Sequence, residues 1–121
     1  MVLEELILEG LRYFDSDEQR RAFLAARIAP YEVIQSWSWS NDKHTCTVIA
    51  RDAQSQLVWC PTGFGPGAPW SVQAIGEMDL GMDCDWDFYL YDAFVTSTLW
   101  PKGTPEGFMR MGPGERSPFA A

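Results

Sequence analysis

The sequence predicts a single small α+β domain: an antiparallel β meander at about residues 32–75, with one helix before it at about 16–28 and another after it at about 88–99. Three observations lead to this prediction. The chain has 121 residues, close to the usual size of one domain. It is 46% hydrophobic and 14% aromatic, enough to bury a core without disulfides or metal ions. Helix-type spacing flanks a middle segment with strand-type alternation.

The first apolar segment, residues 2–14, fits two structures. Leu3, Ile7 and Leu11 share one face of a helix, whereas neighbouring apolar residues also fit a strand. Short apolar runs do not separate these alternatives, so both stay open.

The helix predicted at residues 16–28 has a clear beginning. Ser16 is a preferred N-cap, and Gln19 stands three residues later, as in a capping box. Asp17 lies in the first turn, where the helix dipole favours negative charge. We expect Pro30 to stop this helix.

Strand-type patterns fill the middle of the chain. In residues 33–39, serines alternate with Trp37 and Trp39, which is the period of a strand. The segment 61–69 holds three glycines and three prolines and is predicted to be a loop. Further strands are expected at residues 44–50, 56–60 and 70–75.

The segment around residues 83–91 again fits two structures, because acidic and apolar residues alternate as in a strand while Phe88, Tyr91 and Val95 keep helical spacing. We expect a loop through Asp87 and then a helix to about Leu99. The prediction therefore divides the chain into one domain over residues 1–100 and a Gly/Pro-rich arm or tail over residues 101–121, extended or partly disordered.

The charge of the chain is unevenly distributed. Of the net charge of −8, most lies in residues 52–101, which contain seven acidic side chains and no Lys or Arg. Such a segment repels phosphate backbones, so nucleic-acid binding is not expected. It attracts basic proteins and other cations.

The compartment is predicted from the termini and the cysteines. The acidic N-terminus lacks the basic residues of a signal peptide, and no apolar run approaches the length of a membrane span. The three cysteines are odd in number and widely spaced, which favours free thiols in the cytoplasm over the alternative of one disulfide and a free thiol.

The acidic run is the first candidate site. It resembles a calcium loop in its first three acidic positions, but Phe88 replaces the required glycine and Phe94 the required glutamate. A solvated acidic face is the plain alternative. The functional interpretation is a partner-binding patch that grips Arg or Lys side chains through Asp79, Asp83, Asp85, Asp87 and Trp86.

The sulfur and imidazole groups give no convincing site from sequence alone. His44, Cys46, Cys60 and Cys84 lack the short paired spacing of zinc ligands. A Cys–His nucleophile is conceivable, yet the acidic surroundings are expected to raise the pKa of a thiol. No metal, cofactor or catalytic residue is therefore predicted.

The six tryptophans have two interpretations. One is a compact aromatic core. The other is an exposed aromatic groove formed by Trp37, Trp39 and Trp70, with the loop 61–69 as a flap.

The sequence thus predicts a non-enzymatic acidic protein that neutralises a basic protein partner. Its most concrete form is a bacterial immunity protein against a secreted toxin, and a phage inhibitor of host defence has the same profile. The alternative is a small-molecule-binding domain or minor enzyme that uses the groove of Trp37, Trp39 and Trp70.

Overall fold

The computed structural model describes residues 2–37, 40–81 and 84–118. Within these ranges the helices are α1 (Leu3–Leu11), α2 (Asp17–Ala26) and α3 (Leu90–Val95). The strands are β1 (Arg27–Ser36), β2 (Lys43–Arg51), β3 (Ser55–Trp59), β4 (Trp70–Ala74) and β5 (Asp85–Asp87). All five strands form one antiparallel sheet in chain order. The predicted α+β domain, a meander with a helix on either side of it in sequence, is confirmed.

Helix α2 begins where its cap was predicted and ends earlier than expected. The Ser16 hydroxyl accepts the Gln19 N–H at 3.1 Å, and the Gln19 side chain accepts the Ser16 N–H at 3.2 Å. The helix ends at Ala26, so the expectation that Pro30 stops it was wrong. Pro30 instead lies within β1, in the stretch where the register with β2 shifts. An edge strand tolerates proline there because no ladder bond needs its missing N–H.

Two segments that fitted both helix and strand are resolved. Residues 2–14 contain helix α1, with Ile7 and Leu11 on its buried face. The expected loop through Asp87 was wrong, because Asp85–Asp87 pairs with β4 and supplies a fifth strand. Helix α3 is shorter than the predicted 88–99: it ends at Val95, and the Thr96 hydroxyl donates to the Asp92 carbonyl at 2.9 Å.

One face of the sheet packs against the helices. Aromatic rings dominate this core, and the Phe14 ring stacks on Phe94 with centroids 5.2 Å apart. Burial of such large apolar side chains is the main stabilising contribution to the fold. The cluster includes Ile7, Leu11, Phe14, Phe23, Ile49, Leu57, Trp70, Leu90, Phe94 and Trp100.

The sheet is curved, and its other face, the curled face, surrounds a smaller buried cluster of Cys46, Cys60 and Leu80. Two strands separate β1 from β4 in the sheet, yet the Gln35 side chain donates to Gln73 Oε1 at 2.7 Å. A flat sheet would hold these side chains too far apart to bond. The Leu80 N–H, which donates to the Ser36 carbonyl at 3.1 Å, fastens the end of β1 to the segment before β5. Residues on both faces of the central strands β2 and β3 are therefore buried.

The described part of the chain contains no helix long and apolar enough to cross a membrane.

Candidate functional site

The arm that follows Pro101 brings positive charge to the acidic segment. The Arg110 guanidinium lies 2.5 Å from Asp87 and 3.3 Å from Asp85. The Asp87 side chain is buried, whereas that of Asp85 is 76% exposed. The chain's own arginine therefore partly neutralises the predicted acidic patch.

A second arginine of the arm compensates a fully buried carboxylate. Asp92 has 0% exposure and accepts Arg116 Nε at 2.7 Å and the Met111 N–H at 2.9 Å. The same guanidinium lies 4.8 Å from the centroid of the Tyr91 ring. Burial raises the pKa of Asp92, and the Met111 N–H and Arg116 oppose that rise. The buried interaction of Asp92 with Arg116 thus holds the arm against the rest of the domain.

Asp87 and Arg110, like Asp92 and Arg116, pair a buried carboxylate with an arginine of the arm. Burial raises the pKa of Asp87, although Arg110 opposes this. The pKa of Arg110 is also raised, because the stabilising effect of Asp87 outweighs the burial of the guanidinium. The short contacts and the persistent charge of a guanidinium favour an ion pair at neutral pH.

The structure does not present the predicted partner-binding residues on one face. Successive side chains of β5 point to opposite sides, so Asp85 and Asp87 reach Arg110 while Trp86 points away from them. Trp86 Nε1 donates to the Leu80 carbonyl at 2.6 Å. The Asp79 carboxylate accepts the Gly81 N–H at 2.7 Å. Asp83 lies outside the described residues.

Of the tryptophans predicted to form a groove, Trp37 and Trp70 lie in different clusters. Trp37 contacts Phe64 with ring centroids 4.7 Å apart, and Phe64 contacts Trp86 at 5.7 Å. Trp70 instead belongs to the helix-side core and is 4% exposed. Trp39 lies outside the described residues. The structure therefore joins Trp37 to Trp86 through the glycine-rich loop, and not to Trp70.

A pocket of about 260 Å³ opens at the other side of the same loop. Its floor includes Trp59 and Trp70, which are directly opposite each other in β3 and β4 and close the hairpin that carries the loop. Helix α1 and the turn between β5 and α3 form its remaining walls. The lining residues are Leu6, Glu9, Gly10, Tyr13, Trp59, Pro61, Pro66, Pro69, Trp70, Phe88, Tyr89 and Leu90.

The chemistry of this pocket combines aromatic walls with one carboxylate. Tyr13 and Tyr89 pack together with ring centroids 4.9 Å apart, and Phe88 packs edge-on against Tyr89 at 4.8 Å. Glu9 is the one charged residue in the lining, which contains no Lys or Arg. Such a surface suits an apolar group or an organic cation, because aromatic faces attract positive charge.

Sequence reasoning missed most of this pocket. It placed Trp70 in a groove with Trp37 and Trp39, and it assigned neither Trp59 nor Tyr13 to a site. The available signal was the spacing of Trp59 and Trp70 on either side of the Gly/Pro-rich loop, which predicts a hairpin with opposed tryptophans. The contribution of helix α1 had no local signal.

The two buried cysteines, Cys46 and Cys60, lie next to each other on the curled face. Cys46 and Cys60 are both 0% exposed, and the pairing of Thr47 with Trp59 places them opposite each other on neighbouring segments. The Thr62 hydroxyl lies 3.9 Å from Cys60 Sγ. His44 Nδ1 lies 2.8 Å from the same hydroxyl, so it reaches the sulfur only through Thr62.

The environment of Cys60 differs from the sequence-based expectation. Interaction with the Cys46 sulfur, followed by the Gly63 N–H and the groups of Thr62, lowers the pKa of Cys60 against the opposing effect of burial. The same pairing raises the pKa of Cys46. Among the described residues no group of three or more His, Cys, Asp or Glu side chains is placed to hold a metal ion.

No known family model, curated protein or solved structure matches this chain. Function is therefore inferred from the chemistry of the chain's own residues.

Proposed function

We propose that this protein is a non-enzymatic binding protein that captures a basic protein partner. The pocket beneath the loop 61–69 takes up a lysine or arginine side chain of that partner. The observation that carries this proposal is the pocket lining, in which aromatic and proline side chains surround the single charged residue, Glu9. Aromatic faces stabilise a cation that leaves water, and a carboxylate adds direct attraction.

The weak ion pair that Glu9 makes in the structure supports its role in binding a cation of the partner. Glu9 pairs with Arg12 at 2.9 Å, but both side chains are at least half exposed, at 50% and 57%. Exposed pairs of this kind contribute little free energy, so an incoming cation replaces Arg12 at small cost. Asp79, Asp85 and Trp86 lie outside the pocket lining. The two aspartates contribute through the net charge of −8, which accelerates encounter with a basic partner.

An immunity protein against a secreted bacterial toxin is the most concrete form of this proposal. A phage inhibitor of a host defence protein has the same requirements: small size, acidic surface and cytoplasmic location. The product of the neighbouring gene is the first partner to test, by co-expression and size-exclusion chromatography. A complex that dissociates on Glu9→Gln substitution supports the proposal.

The pocket is tested directly with a fluorescent lysine-rich peptide and its fully acetylated form. We expect the charged peptide to bind and the acetylated peptide to bind much more weakly. Glu9→Gln should weaken binding of the charged peptide about three- to tenfold, which is the loss of affinity expected for an interaction with a cation at a partly exposed site. Fluorescence anisotropy at constant salt gives the dissociation constants.

Glu32→Gln is the matched control, because it removes the same charge from an exposed position on edge strand β1, outside the pocket. Its effect should stay within about twofold. Equal losses for Glu9→Gln and Glu32→Gln would show that only net charge matters. Equal binding of the acetylated peptide would show that the pocket does not recognise cations. Either result contradicts the proposal.

The second candidate function is a small-molecule-binding domain or minor enzyme. The same pocket favours it, since about 260 Å³ between aromatic walls suits a small apolar ligand. Its site is then at Trp59 and Trp70 and not at a groove of Trp37, Trp39 and Trp70. A metabolite that raises the melting temperature by several degrees, as expected for saturating ligand, would support it over the first proposal.

A further inference from the structure

We propose that Cys46 and Cys60 form a redox-active dithiol pair, which peroxides convert into a disulfide between β2 and the end of β3. Three features of the curled face support this proposal: the relative position of the two cysteines, the groups that surround the Cys60 sulfur, and the loop that covers them.

The strand pairing places the two sulfur atoms for bond formation. Cys46 lies opposite Cys60, one residue beyond the pair of Thr47 and Trp59. The Cys60 N–H donates to the Pro69 carbonyl at 2.8 Å, so its hydrogen-bonding edge points away from Cys46. The two cysteines therefore form a non-hydrogen-bonded pair, in which Cα atoms are about 4.5 Å apart. That separation lies within the range of natural disulfides, roughly 4.4–6.8 Å.

The surroundings of Cys60 distinguish it from Cys46. Cys60 stands at the start of a turn in which the Thr62 hydroxyl lies 3.9 Å from its sulfur, and the Thr62 and Gly63 N–H groups lower the pKa of its thiol. Cys46 Sγ instead lies 3.6 Å from Gln35 Oε1, an acceptor that favours the protonated thiol. Donors around one sulfur and an acceptor beside the other make Cys60 the attacking thiolate and Cys46 the resolving thiol.

The loop 61–69 controls access to the pair. Trp37 and Trp86 pack against the cluster that contains both cysteines, and Phe64 bridges the two tryptophans with 47% of its surface exposed. Hydrogen peroxide is small enough to reach Cys60 when this loop opens locally.

The reaction balances in two steps. The Cys60 thiolate attacks one oxygen of hydrogen peroxide, an S–O bond forms, the O–O bond breaks, and the departing hydroxide takes up a proton to become water. The Cys46 sulfur then attacks the Cys60 sulfenic acid and loses its proton. The S–S bond forms, the S–O bond breaks, and a second water leaves. Two thiols lose two electrons and one peroxide is reduced to two waters.

The experiment treats the folded protein with hydrogen peroxide and maps its thiols by alkylation and non-reducing mass spectrometry. We expect the intact mass to fall by two hydrogens, with a linked Cys46–Cys60 peptide and an alkylatable Cys84. The Cys84→Ser variant should react like the wild type. Oxidation of Cys84 with Cys46 and Cys60 left free, or pairing that requires unfolding by urea, would overturn the proposal.

Single variants test the order of attack. Cys46→Ser should stop at a Cys60 sulfenic acid that dimedone traps, whereas Cys60→Ser should leave Cys46 reduced. In the Cys84→Ser background the oxidation rate should rise by much less between pH 6 and 8 than the roughly 70-fold expected for a thiol of ordinary pKa, because the pKa of Cys60 is lowered. A 70-fold gain, or trapping at Cys46 in Cys60→Ser, would contradict the assigned roles. Circular dichroism confirms that each variant is folded.

Discussion

Tyr91 shows how a single residue links the core to the surface. Its ring is 2% exposed and packs against Phe14, while its hydroxyl donates to the Asp15 carboxylate. Burial, and then the hydrogen bond to Asp15, raise the pKa of Tyr91 above its ordinary value of about 10. The folded state therefore favours the neutral, protonated form of Tyr91.

We predict a pH-dependent effect of Tyr91→Phe. Because the pKa is raised in the folded state, this stabilising contribution is complete below pH 10 and is lost as the pH rises above it. At pH 9 the wild type should exceed the variant in free energy of unfolding by about 1 kcal/mol, the value of one hydrogen bond. Between pH 9 and 11 the difference should fall by about 1.4 kcal/mol, because the unfolded tyrosine ionises first.

Urea denaturation at each pH measures both free energies. A difference that stays constant from pH 9 to pH 11 would show that Tyr91 titrates alike in the folded and unfolded chains.

At the scale of single residues, Asp85, Trp86 and Asp87 alternate in the sequence as in a strand, yet we expected a loop there, and the partners of the two aspartates were not predicted. Alternation is a local property of a strand. The ion pairs with Arg110 join residues 23 and 25 positions apart, and no local pattern encodes such a distance. The acidic segment was therefore correctly described by charge count and incorrectly pictured as one continuous surface.

Helix α1 depends on a close approach to α3. A Cβ atom built on Gly10 would lie 2.9 Å from the Cβ of Leu90, a distance that real side chains do not adopt. Glycine is thus required at this position for packing, although it lowers helix propensity.

We predict that Gly10→Ala destabilises the protein. On an exposed helix this change gains about 1 kcal/mol, but overpacking a core contact costs roughly 1–3 kcal/mol. The net free energy of unfolding should fall by about 1 kcal/mol in urea titrations. Glu5→Ala, an exposed change on the same helix, is the control and should stay within about 0.5 kcal/mol. A stabilised Gly10→Ala variant would mean that α1 shifts freely against α3.

Local signals explain which elements were predictable. The capping box of Ser16 and Gln19 involves residues three positions apart, and it placed the start of α2 correctly. Strand β5 is only three residues long and exists because β4 offers a free edge. Its existence depends on tertiary pairing, which a sequence window does not contain.

At the scale of the whole molecule, the arm supplies positive charges that compensate buried carboxylates of the acidic segment. The segment 52–101 contains no basic side chain, and Arg110 and Arg116 place guanidinium groups against its buried Asp87 and Asp92. The sequence predicted an arm without regular structure, and the described residues 102–118 contain no helix or strand. The sequence contained no indication that the arm compensates buried charge.

We predict that Asp92→Asn loses its destabilising effect when the arm is removed. In the full chain the substitution weakens the pair with Arg116 and should cost about 3 kcal/mol. A chain that ends at Pro101 lacks both Arg116 and the Met111 N–H, the groups that stabilise the charge of Asp92, so neutralising this carboxylate should be neutral or stabilising. Urea unfolding of the four proteins gives the coupling free energy.

Arg116→Gln in the full chain provides a second background if the shortened chain does not fold. Asp92→Asn should be neutral or stabilising there as well. Equal destabilisation by Asp92→Asn in all backgrounds would show that Arg116 does not compensate this carboxylate.

The separation of acids and arginines along the chain also fixes an order during synthesis. A ribosome makes Asp87 and Asp92 more than twenty residues before their partners, with Arg116 following Asp92 by 24 positions. The nascent meander can pair its neighbouring strands as they emerge, because those contacts are close in sequence. Closing the helix-side core before Arg110 and Arg116 are made would leave Asp87 and Asp92 without their counter-charges, which costs free energy. We therefore expect the last layer of this fold to become stable only after the arm has left the exit tunnel.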